Sequence, residues 1–84
     1  MNTVKWSMKA TKQLLKIGKA DQISIKDAAG NLSAMPDCTN VKALSNHAHQ
    51  YRLRVGRYRV FFNFDGVVRI VYIEEVRKRD ERTY

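Results

Sequence analysis

The spacing of apolar residues changes partway along the chain and divides it into a helical half and a stranded half. Polar and apolar residues alternate from Thr3 to Trp6, with Val4 and Trp6 on one side, as in a short strand. Ser7 supplies an N-cap hydroxyl, and Ala10, Leu14 and Ile17 recur at helical spacing as far as Gly18, which predicts a first helix stopping there. Between Asp21 and Ser33, Ile25, Ala28, Ala29 and Leu32 fall on one helical face. A second helix is expected, although Gly30 weakens it by about 1 kcal/mol relative to alanine. Met35-Pro36-Asp37 closes this half, because proline lacks the amide hydrogen that a helix interior needs and disfavours helix in the residue before it. From Cys38 to Gln50 only Val41 and Leu44 stand out, and a connecting loop is expected.

From Tyr51 the period becomes that of strands. Tyr51 to Val55 alternates, Gly56-Arg57 reads as a two-residue turn, Tyr58 to Phe64 continues, Asp65-Gly66 reads as a second such turn, and Val67 to Glu75 returns. The expected fold class is α+β, with an N-terminal strand and two helices packed on one face of a mainly antiparallel four-stranded sheet. Tight turns let the register be counted. Tyr51, Leu53, Val55, Tyr58, Val60, Phe62, Phe64, Val67, Val71 and Ile73 then form the face for the helices. The opposite face carries Arg52, Arg54, Arg59, Phe61, Val68, Ile70, Tyr72 and Glu74, with Arg54 across from Arg59 and Arg59 beside Tyr72.

Composition adds a sign to this picture. The chain of 84 residues is read as one domain, 1–84, since a second core would have too little material; its hydrophobic fraction of 44% suffices for one. Sixteen Lys and Arg against eight Asp and Glu leave a net charge of +8, which favours a polyanionic partner, nucleic acid or an acidic protein segment. Cys38 has no second cysteine to pair with, and no Cys/His set has zinc spacing, so no metal and no cofactor are expected. The N-terminus lacks the apolar run of a signal peptide and no stretch is long enough to span a bilayer, so a cytoplasmic protein without membrane attachment is expected.

Two arginines facing each other on a sheet repel, and a chain that places them there gains when an anion visits. A basic run continues the pattern: Arg77, Lys78, Arg79 and Arg82, with Tyr84 last. Guanidinium groups bind phosphate in a two-pronged way and stabilise charge building on its oxygens, while a phenol stacks or exchanges a proton. RNA brings its own nucleophile, the 2′-hydroxyl, so phosphodiester cleavage on such a surface needs no metal. His47 and His49, in the expected loop, are read as surface residues, Cys38 as a buried or idle thiol, and Trp6 as core.

The run Tyr51-Arg52-Leu53-Arg54-Val55-Gly56-Arg57-Tyr58-Arg59-Val60-Phe61-Phe62 resembles the hairpin signature of the RelE/ParE toxin superfamily, which continues into a strand and a short basic motif ending in Tyr. The Leu32-Ser33-Ala34-Met35-Pro36-Asp37 segment and the two helices fit the same plan, so the resemblance spans the chain. It implies the toxin of a type II toxin–antitoxin system. RelE-like relatives are mRNA interferases, endoribonucleases that block translation by cutting mRNA in the ribosomal A site. Each is held inactive by a cognate antitoxin, whose complex reaches operator DNA chiefly through the antitoxin. ParE-like relatives share the fold, target DNA gyrase and cleave no RNA.

By resemblance to the RNA-cleaving relatives, Arg52 and Arg54 would orient RNA and help activate the 2′-hydroxyl, and Arg59 would contact the scissile phosphate. Lys78 or Arg79 would stabilise the transition state or protonate the leaving 5′-oxygen, and Tyr84 would stack on a base or complete the site. Arg57, Arg77 and Arg82 would bind RNA. This chain has Val76-Arg77-Lys78-Arg79 where relatives have Gly-His-Arg or Gly-Lys-Arg, and arginine where relatives use lysine on the second strand. Arginine stays protonated throughout the range in which proteins work and is a poor proton acceptor. Glu74, Glu75 or Lys78 are the candidates for acid or base in its place.

Overall fold

The computed structural model describes residues 1–79. Strand β1 (Thr3–Trp6) leads into helix α1 (Met8–Leu15) and helix α2 (Lys19–Gly30), which tightens into a 3-10 turn over Asn31–Ala34. Strands β2 (Val41–Ala43), β3 (Tyr51–Val55), β4 (Tyr58–Asp65) and β5 (Ile70–Lys78) follow. They form one sheet in the order β1-β5-β4-β3-β2, antiparallel except that β1 runs parallel to β5. The class and the one-sided helical layer are those expected, but the sheet has five strands rather than four. The added strand β2 lies where a loop was expected, because three residues with Val41 as their apolar cue are too few to show a period.

Both helices pack on one face. Ala10 and Leu14 of α1, Ile25 and Ala29 of α2, and Leu32 and Met35 beyond it meet Leu53, Val60, Phe62, Val71, Ile73 and Val76 of the sheet. Ser7 caps α1, its hydroxyl accepting from the Ala10 amide at 3.0 Å. Gly18 separates the helices as expected and stands at the N-cap of α2, which begins at Lys19 rather than Asp21.

The two hairpins differ. At Gly56-Arg57 the counted register holds, with Val55 opposite Tyr58 and Arg54 opposite Arg59. Gly56 has φ +55°, a region L side chains rarely adopt. The second turn is longer than expected, since Asp65 pairs with Ile70 and leaves Gly66 to Arg69 as the connection. Asp65 causes this: its carboxylate accepts from the amides of Val67 and Val68 at 2.9 and 3.2 Å, giving the backbone a local alternative to the ladder. Val67, expected in the core, is 92% exposed in that loop.

A bulge in β5 corrects the register a second time. Phe62 pairs with Ile73 but Phe61 pairs with Glu75, so Glu74 is an extra residue and every later side chain of β5 changes face. Val76 joins the core, while Glu75 and Arg77 come to the open face in place of Glu74. Arg59 therefore faces Arg77 rather than Tyr72, which pairs with Asn63. Helix α1 supports the bulge from the side. The Ser7 hydroxyl donates to the Glu74 carbonyl at 3.1 Å, and the Val76 amide donates to the Gln13 side chain at 2.7 Å.

Ser7 thus serves both a helix end and the bulge. Ser7→Ala is expected to lower unfolding stability by about 1–2 kcal/mol, measured by urea titration. An unchanged midpoint would show that the cap and the bulge stand without it.

Candidate functional site

The face of the sheet away from the helices is where the cations gather, because register sorts them there. Cross-strand partners share a face. Arg54, Arg59 and Arg77 lie in one row across β3, β4 and β5. The next row contains Lys42, Arg52, Phe61 and Glu75. Lys5, paired with Tyr72, adds a further cation toward β1. Against these charges the two rows set one carboxylate among the described residues, Glu75, so the face is strongly cationic.

At the hairpin end a small pocket of about 60 Å³ is lined by Arg52, Arg54, Gly56, Tyr58, Arg59 and Arg79. Arg79 reaches it because its amide bonds the Arg57 carbonyl at 2.6 Å, which carries β5 on past the hairpin turn. The Arg52 Nε is buried there without a hydrogen-bond partner. A buried, unpaired donor costs roughly 1–3 kcal/mol, and an arriving anion would remove that cost.

In the second row Phe61, only 7% exposed, is covered by histidines. His47 stacks on it with ring centroids 5.0 Å apart and an interplanar angle of 14°, and His49 lies 6.0 Å away, tilted. Glu75, buried to 8% exposure, receives Arg77 Nε at 2.6 Å on Oε1, with Lys9 Nζ 3.6 Å from the same oxygen and His49 Nε2 3.4 Å from Oε2. Burial pushes its carboxyl up, but the Arg77 hydrogen bond and charge, Lys9 and His49 together outweigh that and hold it below the ordinary carboxylate range.

The expected site residues are distributed as follows. Arg52, Arg54, Arg59 and Arg79 meet at the pocket, and Arg77 is in the adjoining row. Arg57 stands at the exposed turn outside the pocket lining. Lys78 pairs with Tyr58 and so lies on the other face, away from Arg59, which corrects its expected place. Glu74 is taken up by the bulge, and Glu75 holds the acidic position. Arg82 and Tyr84 lie outside the described residues. His49 was not expected here. Its side chain is 19% exposed and stands against Glu75 rather than in a surface loop. Its nearest sequence signal was its place just before the arginine-bearing strand. Among the described residues no three of His, Cys, Asp and Glu gather as a metal site would require. Cys38 bonds the Asn31 carbonyl through Sγ at 3.4 Å, and burial followed by the Asp37 charge pushes its thiol up.

The fold is thus a small α+β domain with helices on one face of its sheet and a row of arginines on the other. The chain belongs to the family of ParE toxins of type II toxin–antitoxin systems, whose model matches residues 4–82. Among solved structures it is similar to the RelBE2 toxin–antitoxin complex of Mycobacterium tuberculosis, at 28% identity over 93% of this chain and 98% of that one, with a TM-score of 0.81. The fold also matches the archaeal RelE–RelB complex of Pyrococcus horikoshii, at 22% identity, 95% and 97% coverage and TM-score 0.79. The isolated RelE toxin of E. coli shares it at 15% identity, 99% and 89% coverage and TM-score 0.81. No curated protein matches the sequence. The protein is a type II toxin of the RelE/ParE superfamily, the resemblance its hairpin carries.

The ionised state of Glu75 has a pH signature. Its pKa is lower folded than unfolded, so the stability it contributes is present above the ordinary value of 4.5 and lost as pH falls through the folded value. The stability gap between wild type and Glu75→Gln is expected to be open at neutral pH and to close on acidification below that value, followed by urea unfolding. A gap that stays constant into strong acid would refute the ionised pairing.

Proposed function

We propose that this toxin is a ribosome-dependent endoribonuclease that cleaves mRNA in the A site, without a metal, by attack of the 2′-hydroxyl on the adjacent phosphate. The observation that carries this reading is the row of Arg54, Arg59 and Arg77 beside the pocket that Arg52 and Arg79 complete. Like charges held in register across three strands are unfavourable until a phosphate lies among them. A pentacoordinate phosphorane carries more charge on its oxygens than the phosphodiester does, so the same guanidiniums hold the transition state more tightly than the substrate. Arg59, central in the row, binds the scissile phosphate. Arg52 and Arg54 orient the RNA, Arg77 and Arg79 extend the basic track, Arg82 binds RNA and Tyr84 stacks on a base. Lys78, on the other face, is left without a catalytic part.

The partner in the cell is a cognate antitoxin. Several of the similar structures are toxin–antitoxin complexes, and the cationic face favours an acidic segment that would cover the arginines. Operator DNA is reached through that complex. The toxin acts in the cytoplasm, where ribosomes are; no helix among the described residues is long and apolar enough to cross a membrane.

The test is cleavage of ribosome-bound mRNA by purified protein, with 5′-end mapping. Wild type is expected to cut within A-site codons, and Arg59→Ala to lose about 100- to 1,000-fold in rate, the usual worth of one group stabilising developing oxyanion charge. Intact RNA from a folded, growth-inhibiting wild type would overturn the reading in favour of a gyrase-directed toxin.

A further inference from the structure

The interferase reading leaves one chemical task unassigned: a group must take the proton from the 2′-hydroxyl, and the arginines of β3 cannot. Building on that reading, we infer that His49 is this general base, with Glu75 as the residue that positions it. The argument rests on how the imidazole is held. Its Nε2 faces Glu75 Oε2 at 3.4 Å, while its Nδ1 is enclosed and has no hydrogen-bond partner. A carboxylate on one ring nitrogen fixes the proton there and leaves the other as a lone pair, the arrangement by which a neutral imidazole accepts a proton from a hydroxyl. Glu75 then faces the imidazolium that forms and stabilises it.

The placement suits the phosphate site. Glu75 is two residues from Arg77 along β5, and Phe61, on which His49 rests, is two residues from Arg59 along β4. Two residues of strand span roughly 6.6–6.8 Å. A phosphate held by the arginine row therefore has its ribose within the reach of His49. Glu75 on β5 faces the imidazole, Arg77 on β5 and Lys9 on α1 meet it through Glu75, His47 lies beside it, and Arg52 on β3 and Arg59 on β4 stand in the same and the next row of the sheet. Access of the 2′-hydroxyl to the enclosed Nδ1 requires the exposed bend at Asn46–Ala48, which the His49 amide ties to His47 Nδ1 at 3.0 Å, to move aside.

The step balances. The 2′-hydroxyl proton passes to Nδ1 as the 2′-oxygen bonds to phosphorus, and the bond from phosphorus to the 5′-oxygen breaks. The 5′-oxygen takes a proton from solvent water, and the imidazolium returns one to solvent. The products are a 2′,3′-cyclic phosphate and a 5′-hydroxyl.

Single-turnover cleavage of ribosome-bound mRNA, measured from pH 5.5 to 8.5 with the full chain, tests the assignment. Wild type is expected to show a rate rising with pH and levelling off, with its limb inside the interval of about pH 5 to 8 where imidazoles titrate. His49→Gln is expected to lose about 100-fold or more together with that limb. His49→Ala should regain rate on adding free imidazole, which a merely structural role would not produce. Glu75→Gln should lower the rate and Glu75→Asp should restore part of it, since only the first removes the carboxylate that faces the imidazolium. A His49→Gln variant that cleaves at the wild-type rate with the limb intact overturns the inference and leaves the interferase reading standing. If the variants do not fold, a wild-type rate flat across the range overturns it as well. A wild type that cleaves at no pH fails the underlying reading instead.

Discussion

The site depends on one extra residue in a strand. Without the bulge at Glu74, β5 would continue its alternation, Val76 would face solvent, and Arg77 and Glu75 would turn into the helical layer. Burying a guanidinium and a carboxylate under the helices while exposing valine is the arrangement that hydrophobic burial penalises most. The bulge lets one strand serve two registers, so that the core residues before it and the charged residues after it both face the right way. Its backbone groups are satisfied by Ser7 and Gln13 of the first helical segment. The first helical segment therefore holds the register of a face to which the N-terminal part of the chain contributes only Lys5 and Lys9.

The electrostatics of the face follow from that register. Arg54, Arg59 and Arg77 oppose one another with no carboxylate between them, whereas the next row has Glu75 paired to Arg77, Lys9 and His49. The acid is thus neutralised from several sides and compensates only the Arg77 end of the arginine row. Arg54 and Arg59 have no carboxylate partner among the described residues, and a balanced, partly buried cluster lies beside them. Binding and proton transfer can then fall to adjacent rows of the same sheet.

Much of this could be read from the sequence wherever a local rule decides the outcome. Ser7 as cap, Gly56 at the turn and the facing of Arg54 with Arg59 each follow from one short stretch of chain. Errors arose where the outcome depended on distant residues or on competition. The bulge rests on side chains more than sixty positions away, and nothing in Ile73-Glu74-Glu75-Val76 marks which glutamate is displaced. The Asp65-Gly66 turn lengthened because the Asp65 carboxylate captured two amides. Strand β2 owes its existence to pairing with β3 rather than to its own pattern. His49 looked like a loop residue because only the fold shows that Glu75, twenty-six positions later, lies beside it.

The helical layer and the arginine row lie on opposite faces of the sheet. The residues that make the domain cohere, Phe62, Ile73, Val60 and their helical partners, are on one side of a backbone plane, and Arg54, Arg59 and Arg77 are on the other. Selection can therefore rewrite the outer surface one side chain at a time while the interior remains intact. A scaffold divided in this way lets a lineage change its target without first having to invent a new protein.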